Sequence, residues 1–285
     1  MARVKVFRGF VIFLLSLVLF SQPLFAAPPG DQSQWTITFS DEFDGSSLDT
    51  TKWATYRSDG GRNIADAQSW CIDSNVSVSG GALRLKATNI QSHSGYPYSG
   101  SCVSGHNAFN QMYGYFESSM KLPKGAGMWP AFWLMPKSSN NSWLWPPEID
   151  IMENLGAYTN VVYMTNHYSS NYPQPGIGHG QTGGVYSGVD YSAAFHTFGV
   201  LWDSSQVVWY IDDIQRFRVT DYVPITGYGW PGMYILFDLA VGGSWGGPPN
   251  SSTPWPSEYL VDWVRVYQKS TGPIPPGSPK NLRLK

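Results

Sequence analysis

The sequence 145-WPPEIDIMENLG-156 places three carboxylates in an otherwise apolar run. The acids are Glu148, Asp150 and Glu153, at spacings of two and three residues. Burying a charged side chain is costly unless the charge is paired or used in chemistry. This run therefore either forms a functional site or needs compensating partners elsewhere in the chain.

A β-bulge would bring the three acids onto one face. In a regular strand Glu153 would point with Ile149 and Ile151, away from the other two acids. In a helix the second and third acids would lie about 160° and 140° around the axis from the first. One extra residue at Ile151 and Met152 resets the alternation of a strand. The sequence therefore predicts a bulged strand.

The two glutamates suit a retaining glycosidase. In a bulged strand the Cα atoms of Glu148 and Glu153 would be roughly 13 Å apart, and side chains that lean inward would approach the ~5–5.5 Å carboxyl separation of such enzymes. One carboxylate attacks the anomeric carbon and one protonated acid donates to the leaving oxygen. Crowding should drive the pKa values of the acids apart, with Asp150 as a hydrogen-bonding neighbour. A cation site or a satisfied acidic patch is the alternative.

Short alternating runs, separated by Gly, Pro, Asn and Ser, recur along the chain, and helical periodicity is almost absent. The clearest runs span residues 35–43, 75–88, 113–122, 197–213 and 259–268. Many short strands at this density predict an all-β sandwich or barrel.

Residues 1–26 have the features of a secretory signal peptide. Three basic residues precede an apolar run from Phe10 to Phe20, and small residues follow at Ala26 and Ala27. That run is short for a membrane span, which needs ~20 apolar residues. We expect a secreted protein (extracellular or periplasmic) that has no membrane contact after cleavage; an uncleaved anchor is the alternative. The domain would cover residues 27–268, followed by a Pro/Gly/Ser-rich linker or tail at 269–285.

Charge and cysteine content narrow the function classes further. Residues 27–268 hold 20 acidic against 11 basic residues, nine net negative charges. Such a surface argues against nucleic acid as a partner and mildly against sulfated polysaccharide.

Cys71 and Cys102 are the only cysteines. In an exported chain we expect them to form a disulfide, with two buried thiols as the alternative.

Six motifs beside the carboxylate run resemble glycoside hydrolase family 16 in its bulged E-x-D-x-x-E form. They occur in the family's order: FSDEFDGSSLDTTKW (39–53), SGGALRLKA (79–87), YGYFESSMKLPKGAGMWPAFWLMP (113–136), FHTFGVLWDSSQVVWYIDD (195–213), DLAVGGSWGG (238–247) and VDWVRVYQ (261–268). The resemblance implies a β-jelly roll of two curved antiparallel sheets with a concave substrate cleft. It implies that Glu148 is the nucleophile, Glu153 the general acid/base, and Asp150 the residue between them.

Aromatic residues in or beside these motifs are candidates for sugar binding. An aromatic ring can cover the apolar face of a sugar while hydroxyls hydrogen-bond at the rim. The candidates are Trp129, Trp133, Trp145 and Trp245, with core packing as the alternative for Trp133. His167 falls where family members often carry a histidine near the catalytic acids; an ordinary structural histidine is the alternative.

The resemblance also bears on cofactors and substrate. It implies no cofactor for catalysis and a possible structural Ca²⁺, for which Glu42 and Asp262 could supply oxygen ligands. The segments at 238–247 and 127–136 favour a laminarinase-like β-1,3-glucanase. We expect a monomer whose substrate is a polysaccharide. Cys102 and the sequence PPEID depart from that branch. A depolymerase of another polysaccharide (bacterial exopolysaccharide or agar-type galactan), a transglycosylase and a non-catalytic glycan-binding protein remain as alternatives.

Overall fold

A computed structural model describes residues 27–137, 144–225 and 228–270. The predicted signal peptide (1–26) and residues 271–285 of the predicted tail lie outside this part of the chain. No helix among the described residues is both long and apolar enough to cross a bilayer.

Two β-sheets hold nearly all of the regular secondary structure in the described chain. The strands are β1 (Trp35–Asp41), β2 (Ser69–Cys71), β3 (Val76–Val78), β4 (Leu83–Ala87), β5 (Tyr98–Ser104), β6 (Gly114–Lys121), β7 (Met128–Pro136), β8 (Glu148–Glu153), β9 (Val161–Tyr168), β10 (Gly180–Ser187), β11 (His196–Trp202), β12 (Val207–Ile211), β13 (Ile214–Val219), β14 (Met233–Val241) and β15 (Ser257–Lys269). Short helical turns occupy Gln32–Gln34, Asp73–Asn75 and Gly243–Gly246. The predicted all-β class is confirmed.

The sheets have a simple strand order within the described residues. The seven-stranded sheet runs β10-β9-β8-β7-β14-β5-β2. The eight-stranded sheet runs β13-β12-β11-β6-β15-β4-β3, and β1 also pairs with β15. Neighbouring strands are antiparallel except β2 and β5, which are parallel. Strands distant in sequence therefore become neighbours, as in a jelly roll.

The seven-stranded sheet carries buried apolar side chains on both faces. In β7, Phe132 and Leu134 point into the main core between the sheets, whereas Trp133 and Met135 belong to a second apolar cluster. β14 alternates in the same way. Each large apolar side chain buried in this manner contributes roughly 1.5–3 kcal/mol. We call the side that carries the second cluster the cleft face, because the carboxylate run lies on it.

The structure confirms the predicted bulge. Two consecutive residues of β7, Trp133 and Phe132, pair with Asp150 and Met152 of β8. The pairing of β8 with β9 also shifts in register, between Asp150 and Glu153. Ile151 is the extra residue, and both it and Met152 pack into the main core. The indole of Trp209, from the other sheet, donates to the backbone carbonyl of Asp150 at 2.8 Å. A hydrogen bond from the opposite sheet thus supports the bulge.

The predicted disulfide is absent from the structure, which is a correction. Cys71 and Cys102 are free, buried thiols that contact each other. The parallel register places Cys71 opposite Gly100, so Cys102 lies one pleat further along the cleft face. The Sγ atom of Cys102 instead donates to the backbone carbonyl of Thr55 at 3.6 Å.

Inserting one alanine between Met152 and Glu153 tests the bulge. Because side chains alternate along a strand, the insertion should turn Glu153 into the main core and lower the free energy of unfolding by about 3–5 kcal/mol, the cost of an unpaired buried charge. Met152→Leu keeps the chain length and should cost less than about 1.5 kcal/mol. Adding Glu153→Leu to the insertion should restore much of the loss. Urea unfolding measures all three variants, and an insertion as stable as Met152→Leu would refute the register argument.

Candidate active site

The bulged strand β8 presents the three acids on the cleft face. Asp150 is only 3% exposed, whereas Glu148 and Glu153 are half-buried at the two ends of the strand. Asp150 shares a hydrogen bond with Glu148. The predicted juxtaposition of the three carboxyl groups is therefore present, because the bulge returns Glu153 to the face of the other two.

Both glutamates hold their protons more tightly than in water. Burial raises the pKa of Glu148 well above its usual range, and the charge of Asp150 adds to the effect. Burial and then the charge of Asp150 likewise raise the pKa of Glu153. Two tryptophans partly oppose these shifts: Trp129 Nε1 donates to Glu153 Oε1 at 3.0 Å, and Trp145 donates to Glu148. Each tryptophan thus favours the ionised form of one glutamate.

A pair of histidines extends the site from Asp150 towards solvent. Nε2 of His167 lies 2.8 Å from Asp150 Oδ2 and 3.8 Å from Glu148 Oε1. Nδ1 of His167 lies 2.8 Å from Nε2 of His179. When His167 donates its Nε2 proton to Asp150, the neutral ring accepts at Nδ1 from His179. His167 is therefore a site residue, as predicted.

His179 is a site residue that sequence reasoning missed. It lies just before β10 and reaches His167 because β10 pairs with β9, with Gln181 opposite His167. Burial lowers the pKa of His179, and the neighbouring His167 adds to this effect. A histidine 12 residues from its partner carries no local signal, so only the strand pairing could have found it.

The four predicted tryptophans all lie at the cleft face. Trp245, on the short helix Gly243–Gly246, is 37% exposed and packs edge-on against Trp129, with ring centroids 5.1 Å apart. Trp145 lies 4.6 Å from the His179 ring. Trp133 is buried, and its Nε1 donates to Asp238 Oδ1 at 2.8 Å. Aromatic surface therefore lies beside the carboxylates and beneath them.

The Ca²⁺ ligands predicted at Glu42 and Asp262 do not fit a metal site. Both carboxylate oxygens of Glu42 accept hydrogen bonds from Arg265, at 3.0 and 2.8 Å. Asp262 faces the Ser119 hydroxyl at 3.4 Å. The ion pair with Arg265 thus supplies the positive charge that Ca²⁺ would supply. Among the described residues, the one cluster of at least three potential ligand groups is Glu148, Asp150 and His167.

Each glutamate has two acidic neighbours. In addition to burial, the charges of Asp150 and Glu153 raise the pKa of Glu148, and the charges of Asp150 and Asp238 raise the pKa of Glu153. Because crowded acids cannot all ionise, one of the two glutamates can hold a proton while the other is ionised. A retaining glycosidase requires this mixed protonation.

Comparison with known proteins gives the family. The GH16 domain of β-porphyranases A–D matches residues 34–269, which includes the bulged strand and both sheets. The chain belongs to glycoside hydrolase family 16. The family 16 jelly roll places its substrate cleft on one sheet, and here that sheet carries the three carboxylates and the tryptophans. The predicted family and fold are confirmed.

Several members of family 16 resemble this chain. Endo-1,3-1,4-beta-glycanase ExsH of Rhizobium meliloti is 32% identical over 259 residues, covering 83% of this chain and 52% of ExsH. The chain thus spans about half the length of that relative. A beta-glucanase of Rhodothermus marinus is 31% identical, covering 90% of this chain and 93% of the relative. The laminarinase catalytic domain of Thermotoga petrophila superposes with a TM-score of 0.71 at 29% identity, covering 82% and 98% of the two chains.

Replacing Glu148 with Gln should make stability less dependent on pH. Because folding raises the pKa of Glu148, the unfolded chain ionises first, and the native protein loses stability as the pH rises above about 4.5. Each unit of the raised pKa corresponds to about 1.4 kcal/mol. The melting temperature of Glu148→Gln, relative to the native protein, should therefore be higher at pH 8 than at pH 4.

The matched control for this prediction is Glu258→Gln. This change removes an ion pair with Arg84 (2.7 Å) on the eight-stranded sheet and should give no such gain. Thermal unfolding at a series of pH values measures both variants. Parallel pH curves for Glu148→Gln and the native protein would contradict the assigned burial of Glu148.

Proposed function

We propose that this chain is a retaining endo-β-glycosidase that hydrolyses a β-1,3-containing glucan, of the laminarin or mixed-linkage type. The observation that carries the proposal is the pair of glutamates on one face of the bulged strand, where Glu148 shares a hydrogen bond with Asp150 and Glu153 accepts one from Trp129. Relatives named endo-1,3-1,4-beta-glycanase and beta-glucanase support the substrate class.

The geometry supports a double displacement. In the first step Glu153 donates its proton to the glycosidic oxygen while Glu148 attacks the anomeric carbon, which forms a glycosyl–enzyme ester. In the second step the Glu153 carboxylate takes a proton from water, and the hydroxyl attacks the same carbon and releases Glu148. Asp150, hydrogen-bonded to both Glu148 and His167, keeps the nucleophile in place through this cycle.

The arginines near the cleft floor favour a neutral glycan. Arg57 and Arg62 lie near the floor of the cleft. Burial raises the pKa values of Asp238 and Cys71, the positive charge of Arg57 partly offsets this rise, and Arg62 donates to the Cys71 carbonyl. Within the described residues both are ion-paired, Arg57 with Asp59 at 2.8 Å and Arg62 with Asp73 at 2.6 Å. A sulfated substrate would have to compete with these carboxylates.

A second candidate substrate has one specific observation in its favour. The matching family description is that of β-porphyranases, which points to an agar-type galactan. The test is reducing-end release from laminarin, mixed-linkage glucan, a succinoglycan-type exopolysaccharide, agarose and porphyran. Cleavage of a β-1,3-containing glucan supports the proposal, and cleavage confined to the galactans overturns the substrate class. Elongated oligosaccharides among the products would show a transglycosylase instead.

We also propose that the protein is exported and that residues 1–26 are removed. The sequence features of those residues support this, together with the apolar aromatic cleft face, which suits an extracellular polymer as substrate. Intact mass of the protein recovered from a secreting host tests the cleavage. A product that retains residues 1–26 would favour the anchor alternative.

Glu148→Gln should abolish turnover without abolishing glycan binding. The amide is close in size to the carboxylate but cannot form the ester, so the first step is blocked. Calorimetry of oligosaccharide binding and reducing-end release measure the two properties. Retained turnover would show that another group is the nucleophile.

Glu153→Ala should slow hydrolysis by about 10²–10⁴-fold, the usual contribution of a general acid. Because the second step then lacks its base, added azide should restore turnover of glycosides whose leaving group needs no proton. The product would be a β-glycosyl azide, detectable by NMR. Asp150→Ala is the matched control and should show no azide rescue, since Asp150 transfers no proton to the leaving group.

A further inference from the structure

Asp238 is a buried acid that the catalytic mechanism leaves without a role. It lies on β14 with Ala131 and Cys102 as its cross-strand neighbours, and it is 1% exposed. Oδ1 accepts the Trp133 indole N–H at 2.8 Å. Oδ2 is buried and has no hydrogen-bond partner among the described residues. A carboxyl group in such a place is costly and needs a reason.

The partner of Asp238 occupies a central place in the cleft. Trp133 lies on β7 directly opposite Asp150 of the bulged strand. Its indole reaches Asp238 on β14, which pairs with β7 on the edge opposite to β8. An indole has one hydrogen-bond donor, so an acceptor fixed on the neighbouring strand restricts the orientation of the ring.

We propose that Asp238 is a positioning residue, which holds the Trp133 indole in the orientation that lets it pack against the sugar unit beside Asp150. This inference rests on the proposed function. The direct contact with substrate belongs to Trp133, and Asp238 acts through it. An aromatic ring that is held in place before binding loses less entropy when the glycan arrives.

Asp238 can hold the indole without a negative charge. Burial raises the pKa of Asp238 to about 8, and the charge of Asp150 contributes. A protonated carboxyl group still offers an acceptor oxygen to the Trp133 indole, and the side-chain amide of asparagine offers the same acceptor. Asp238→Asn should therefore keep the contact that Asp238→Leu removes.

Three variants separate positioning from mere packing. Asp238→Leu removes the acceptor, Trp133→Phe removes the donor, and Asp238→Asn keeps an acceptor oxygen but loses the charge. In the Glu148→Gln background, the first two should each weaken β-1,3-gluco-oligosaccharide binding about tenfold, as expected for one buried hydrogen bond. Asp238→Asn should bind within about threefold of the parent. Combining Asp238→Leu with Trp133→Phe should weaken binding no further than Trp133→Phe alone.

A measurement without glycan keeps this test separate from the proposed function. In protein labelled with ¹⁵N-tryptophan, the Trp133 indole proton should exchange slowly in the native chain and in Asp238→Asn, and faster in Asp238→Leu. If the native protein cleaves no glycan, the proposed function fails while this exchange still tests the contact. Should Asp238→Leu not fold, Trp133→Phe and Asp238→Asn carry the test.

Three outcomes would overturn the proposal. One is oligosaccharide binding by Trp133→Phe or Asp238→Leu that equals the parent. Another is a loss in Asp238→Asn as large as in Asp238→Leu. The third is a lower melting temperature with unchanged binding, because that result would show packing alone.

Discussion

The site depends on one extra residue in a strand. Without the bulge at Ile151, a strand that buries Ile149 and Ile151 would also bury Glu153. With the bulge, the apolar side chains enter the main core and the three acids lie on the cleft face. The indole of Trp209 reaches across from the other sheet to the Asp150 carbonyl. Core packing and catalytic geometry are therefore satisfied by the same backbone irregularity.

From the bulge, a row of polar and aromatic groups crosses the seven-stranded sheet. It runs from His179 through His167 to Asp150, and continues through Trp133 to Asp238. Each member comes from a different strand or its flanking loop, so the sheet fixes their spacing. Because cross-strand neighbours sit about 5 Å apart, adjacent members of the row are within reach of one another. The charge of Asp150 adds to the effect of burial in raising the pKa values of both glutamates.

Sequence patterns predicted the features whose cause is local. Glu148, Asp150 and Glu153 lie within six residues, so strand alternation alone was enough to call for a bulge there. Trp129 and Trp133 flank the catalytic strand in β7, and their motif indicated the cleft. The errors came from pairs distant in sequence. Glu42 looked like a metal ligand because Arg265, 223 residues away, could not be seen as its partner. Cys71 and Cys102 are neighbours as expected, yet the structure leaves both thiols free.

The sequence by itself determined the all-β class, the bulged strand and the family, because periodicity and motif order are written in neighbouring residues. Only the tertiary structure decided which groups surround the carboxylates. His179 and Asp238 reach the site through the pairing of β10 with β9 and of β14 with β7. Hydrogen bonds and Coulomb interactions act through space over a few ångströms, so the protonation of each glutamate depends on strand order, which the linear chain does not display.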